Sequence, residues 1–190
     1  PPLMAIELAM VAVMTHMVDG TRVSFRPCAT HEIMGVRHEM LRPGRPIETA
    51  AFPGDDAPST LHFGAFALDP SGAERVGALG CLTFLSAGRG GVAAWQLRGM
   101  ATSSAVLRRG IGSRLLACAE AHLAAAGAEE GSLPVELWAN ARVSALAFYA
   151  RQGWAQEGEV FDVPGIGAHV VIVKRLHAAP AMADARAGAL

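Results

Sequence analysis

Apolar and polar positions along the chain alternate between a two-residue and a 3.6-residue period, and these switches lay out the elements. Arg22 to Cys28 alternates as a first strand, and Thr30-His31-Glu32 opens a helix through Arg37 to Leu41 that Pro43-Gly44 stops. Glu48 to Ser59, with Pro53-Gly54-Asp55-Asp56 inside it, reads as a polar loop. Leu61 to Leu68 and Arg75 to Leu85 read as two strands joined by the turn Asp69-Pro-Ser-Gly72, and Ala93 to Thr102 as a mostly apolar strand. Ile111, Leu115, Ala119 and Leu123 then recur at helical spacing until Gly127, which is expected to end the helix. A short strand at Val135 to Trp138, a second helix from about Ala141 to Gln152 closed by Gly153, and strands at Ala155 to Val163 and His169 to Arg175 complete the order. Such an order predicts an α/β (α+β) fold, a mixed sheet with helices on its faces.

The two ends are less patterned. Leu3 to Val18 is apolar, but it contains Glu7, lacks a basic start and is shorter than the roughly 20 residues of a membrane span, so residues 1–20 read as a leader or peripheral helix. Residues 178–190 read as an Ala-rich tail, leaving one domain over 21–177. An apolar fraction of 52% suffices for one sizeable core. The net charge of −1 argues against nucleic acid or an anionic membrane as partner, since both call for a basic field. Its 16 basic residues are all Arg except Lys174, a usage that with abundant Ala and Gly suggests a GC-rich bacterial coding sequence. Cys28, Cys81 and Cys118 show no metal-ligand spacing and fit reduced, buried thiols of a cytoplasmic protein, with neither a disulfide nor a metal expected.

The chemistry concentrates in Leu107-Arg-Arg-Gly-Ile-Gly-Ser-Arg114, which sets Gly110 and Gly112 between a strand and a helix. The first N–H groups of a helix lack partners and face the positive end of its dipole, so a phosphate can sit there; glycines let it approach, and Arg108, Arg109 and Arg114 add charge. The same residues also make a glycine-marked helix start flanked by solvated arginines. A P-loop is excluded because Ser113-Arg114 follow Gly112 in place of Lys-Ser/Thr, and Leu115 stands where a dinucleotide fingerprint needs a third glycine.

The segment resembles the GCN5-related N-acetyltransferase (GNAT) signature, Arg/Gln-x-x-Gly-x-Gly/Ala between the fourth strand and the next helix, with Leu107 departing at its first position. Trp95 to Thr102 is similar to the family's fourth strand, Asn140 to Trp154 to its later coenzyme A segment, and Gly158-Glu-Val-Phe with Gly165-Ile-Gly-Ala-His169 to the closing hairpin of an ElaA-like bacterial subgroup. The resemblance implies a mixed, mostly antiparallel sheet of about six to seven strands flanked by helices. It implies acetyl-CoA as co-substrate, held by backbone at Met100, Ala101 and Thr102 and by Leu107, Arg108, Arg109, Gly110, Ile111, Gly112, Ser113 and Arg114, with Asn140 and Tyr149 also in contact. Asn140 would in addition cap the second helix.

Direct transfer from a thioester needs a neutral amine, a polarised carbonyl and a proton for the departing thiolate. Tyr149, the sole tyrosine, lies at the border of an apolar stripe of Val143, Leu146, Ala147 and Ala150, where it is either the acid or an amphipathic residue with its hydroxyl in water. Glu159 and His169, on neighbouring closing strands, are candidate bases, His62 is a third, and Arg98 with the 42–56 loop would shape the acceptor pocket. Met100 and Phe148 would set the width of the acyl slot, and Cys118 reads as core. The expected partner is a small-molecule or peptide amine (free amino acid, polyamine, aminoglycoside or protein N-terminus), the protein a monomer or homodimer. The rival readings are a coenzyme-A-binding sensor without turnover and a transferase of longer acyl groups.

Overall fold

The computed structural model describes residues 13–177. Eight strands form one sheet: β1 (Met14–Val18), β2 (Thr21–Cys28), β3 (Thr60–Leu68), β4 (Glu74–Ser86), β5 (Ala94–Thr102), β6 (Val135–Arg142), β7 (Ala155–Val163) and β8 (Gly167–Leu176). Their spatial order is β1-β2-β3-β4-β5-β6-β8-β7. Every pair is antiparallel except β5 with β6, which are parallel and joined by the long crossover helix α2 (Ile111–Glu129). Helix α1 (Thr30–Leu41) packs on β4 and β5, and the short α3 (Leu146–Arg151) follows β6.

One strand more than expected is present because β1 pairs along its whole length with β2, from Met14↔Phe25 to Val18↔Thr21. Residues 14–18 are therefore an edge strand and not part of a leader or helix; residues 1–12 and 178–190 lie outside the described residues. Among the described residues, no helix is long and apolar enough to cross a membrane.

Helix α2 buries Ile111, Leu115, Leu116, Cys118, Ala119 and Leu123 against Phe25, Phe63, Leu82 and Phe84 of the sheet. Each large aliphatic side chain so buried contributes about 1.5–3 kcal/mol. The helix continues past Gly127 to Glu129, since that glycine is a close approach and not a stop: a Cβ there would lie 2.5 Å from Val135. Cys118 is core as expected, its thiol donating to the Phe25 carbonyl at 3.6 Å. Burial pushes the Cys28 thiol up to about 12 and Cys81 to about 11, so these sulfurs stay protonated.

On the other face, the 42–56 segment is tied down by a buried ion pair. Arg37 of α1 donates to Asp55 Oδ2 at 2.5 Å, to the Ala50 carbonyl at 3.0 Å and to Thr83 Oγ1 at 2.7 Å. Its side chain is fully buried and that of Asp55 nearly so, which makes the pair a strong positional constraint on the loop.

Candidate active site

Strands β5 and β6 pair at only three positions, Ala94↔Glu136, Trp95↔Leu137 and Gln96↔Trp138. Beyond them a bulge bends β5: Arg98 faces Thr83 and Ala101 faces Cys81, so Gly99 and Met100 share the space opposite Leu82. Gly99 takes φ +60, and a Cβ there would stand 3.1 Å from Phe52 and 3.2 Å from Arg37, so the bulge requires glycine. The parted strands floor a cleft of about 580 Å³, walled by α3, the end of α1 and the β7–β8 turn.

Tyr149 enters this cleft from α3. Its hydroxyl donates to the sulfur of Met100 at 3.5 Å, and its ring stands edge-on between Phe148 and Trp154, with centroids 5.1 and 5.8 Å away. Burial pushes the phenol up to about 12, which keeps it protonated and able to donate. The expected apolar stripe does not set this orientation: Val143, Ala147 and Ala150 are exposed, whereas Leu146, Phe148 and Tyr149 pack on the core. A six-residue helix is oriented by what anchors its end. Here Trp154 Nε1 donates to Glu120 Oε1 at 2.8 Å, and Lys174 donates to Glu120 Oε2 at 2.6 Å and to the Gln152 carbonyl at 2.7 Å.

Of the three candidate bases the structure brings one to the cleft. His169 lines it from β8, and its Nδ1 lies 2.7 Å from the Gly167 carbonyl. A carbonyl only accepts, so Nδ1 is the donor here, and in the neutral ring this leaves the lone pair on Nε2. Glu159 is exposed and lies in the irregular stretch between Glu157 and Phe161 of β7, where the register slips so that Phe161 opposes His169. His62 is spent on structure, 2.8 Å from Thr83 Oγ1 and 3.0 Å from both Thr30 Oγ1 and the Asp55 carbonyl.

At the other end stands the N-terminus of α2. Gly110 is its N-cap with φ +79, no side chain caps it, and its first hydrogen bond runs from Arg114 N to the Gly110 carbonyl. The N–H groups of Ile111, Gly112 and Ser113 precede that bond and suit an anion. Gly112 borders the cleft, where a Cβ would stand 3.3 Å from Thr102 Oγ1 and 3.5 Å from Met100. Met100, Ala101, Thr102 and Leu107 line the same wall. Arg109 turns toward Asp19 at 3.3 Å, and Arg114 folds back on the Gly110 carbonyl at 3.5 Å. Ser113 Oγ accepts from Gln152, and Arg108 holds an unfavourable φ of +61. Asn140 lines the cleft from within β6, paired with Val171, and so cannot be the N-cap of the second helix, which starts at Leu146. The strand runs four residues longer than expected because β8 pairs with it through Arg142↔His169.

Arg98 also lines the cleft, donating to the Pro53 carbonyl at 2.9 Å. The sequence reading missed Phe52, whose ring meets the guanidiniums of Arg37, Arg42 and Arg98 at 4.7, 5.0 and 5.1 Å. No local signal marks a single aromatic in a Pro-Gly loop for that role.

Comparison with known proteins points to one family. Residues 66–156 match the model of the acetyltransferase (GNAT) domain. The chain is 35% identical over 144 residues to a Bacillus subtilis (strain 168) protein named uncharacterized N-acetyltransferase YitI, covering 74% of this chain and 88% of that protein. Its fold is similar to that of an aminoglycoside 6'-N-acetyltransferase in complex with coenzyme A, at 12% identity and TM-score 0.59 over 82% of this chain and 98% of that one. It is also similar to Escherichia coli ElaA, at 11% identity and TM-score 0.58 over 80% and 99% of the two chains.

Proposed function

Because the chain belongs to the GNAT acetyltransferase family and is an N-acyltransferase by that relationship, we propose that it passes acetyl from acetyl-CoA directly to an amine, with Tyr149 as acid and His169 as base. The observation that carries this reading is the parting of β5 and β6 between an uncapped helix N-terminus and a buried, protonated tyrosine. The residues fit the co-substrate: Gly112 leaves open a space that a Cβ would narrow, and unbonded N–H groups of α2 suit its pyrophosphate.

The chain's own groups account for each transfer. His169 Nε2 takes the proton of the attacking amine, directly or through water, as the nitrogen bonds to the thioester carbonyl carbon. Backbone N–H groups of β5 freed from β6 polarise the carbonyl oxygen, and Tyr149 delivers its proton to sulfur as the carbon–sulfur bond breaks.

Thermal melting with acetyl-CoA and thiol release across an amine panel test the reading together. A ligand present at about 100 times its Kd adds about 2.7 kcal/mol of stability, an easily read shift. Absence of any shift at millimolar acetyl-CoA would overturn the binding site. A shift without thiol release from any amine would favour a coenzyme A sensor instead.

A further inference from the structure

Arginines dominate the charge of the cleft. Among the described residues its lining carries Arg42, Arg98 and Arg142, and neither Asp nor Glu. Around Phe52 three guanidiniums gather against one carboxylate, Asp55, an excess of two positive charges. Asp55 is committed to Arg37 and to the Phe52 N–H, the latter at 2.8 Å. Among the described residues, the side-chain hydrogen bonds of Arg42 and Arg98 go only to carbonyls, of Leu41 at 2.8 Å and of Pro53 at 2.9 Å.

Two arginines stacked on one aromatic ring repel each other, and half-burial adds to the cost. Desolvation pulls the Arg98 guanidinium below its ordinary range; nearby Asp55 opposes this and Arg37 reinforces it. An anion between the two would relieve both costs, and a guanidinium's planar fork matches a carboxylate.

Coenzyme A phosphates are not that anion, because the cradle lies at the other end. Arg98 stands four residues before Thr102, about 13 Å of strand, and on the opposite side of Met100, the residue the Tyr149 hydroxyl reaches. A polyamine or aminoglycoside would set its spare ammonium groups against these arginines with no carboxylate to receive them.

We propose that the acceptor is a small amine that also carries a carboxylate, and that Arg98 and Arg42 bind that carboxylate while His169 faces the amine. This rests on the acetyl-transfer reading above and narrows its acceptor from any amine to an amino acid or a close relative.

The test is acetyl-CoA thiol release with the common amino acids, each against its own carboxamide, together with spermidine and kanamycin. At least one amino acid is expected to exceed its carboxamide by about tenfold or more in kcat/KM. Arg98→Gln and Arg42→Gln should each erase that preference by raising KM for the amino acid, with the acetyl-CoA melting shift unchanged. Equal use of acids and amides, faster use of the cationic amines, or a carboxylate preference that survives both substitutions would overturn it. So would release from no amino acid at all, while thiol release with spermidine or kanamycin reports independently on the transfer reading.

Discussion

The Tyr149 hydroxyl lies 3.5 Å from the thioether sulfur of Met100, so the only phenol in the protein is already aimed at a sulfur atom inside the cleft. A thioether is a weak acceptor, and a thiolate forming nearby would compete for the same proton. Tyr149→Phe is therefore expected to lower kcat about 10²- to 10⁴-fold and to leave the acetyl-CoA dissociation constant nearly unchanged. Single-turnover thiol release alongside a binding titration measures both, and full activity in the variant would remove Tyr149 as the acid.

The same phenol predicts a pH dependence of stability. Its folded value near 12 lies above its ordinary 10, so the unfolded chain ionises first as pH rises. The stability held by the neutral buried phenol is complete below about pH 10 and is lost as pH rises through 12. Denaturant midpoints from pH 9 upward should fall more steeply in the wild type than in Tyr149→Phe.

His169→Gln is expected to lower kcat by about 10²-fold, because it removes the imidazole base that lines the cleft. Glu159→Gln should leave kcat and KM unchanged, since its carboxylate is exposed in the slipped part of β7. Steady-state kinetics on the pair decides between them, and the opposite ranking would reassign the base.

Gly112→Val should weaken acetyl-CoA binding by about tenfold or more, since the added carbons grow from a Cβ 3.3 Å from Thr102 into the cleft. Gly110→Ala would instead cost about 1 kcal/mol of folding stability through its positive φ. Calorimetric binding and thermal melting separate the two effects.

Asp55→Ala should destabilise the fold by about 3–5 kcal/mol, because it leaves the Arg37 charge buried without its partner. Urea unfolding measures this, and a loss below 1 kcal/mol would mean that the loop is held by other contacts.

Much of this protein was legible along the chain because the signals are local. The Gly110-Ile111-Gly112 turn, the α2 stripe of Ile111, Leu115, Ala119 and Leu123, and the hairpin at Asp69 to Gly72 each depend on residues within a few turns of one another. The order of strands and helices followed from the same periodicities, and with it the α/β class.

What tertiary structure alone decided are relations between distant segments. Pairing with β2 makes Met14–Val18 a strand, and pairing with β8 extends β6 so that Asn140 sits in a ladder and not at a helix cap. A register slip in β7 separates Glu159 from His169, although counting residues along two neighbouring strands would bring them together. The convergence of Arg37, Arg42 and Arg98 on Phe52 likewise joins a helix, a loop and a strand. A sequence states which residue types are available and how each short stretch prefers to fold. Which side chains meet is set by strand register and packing, which depend on the whole sheet at once.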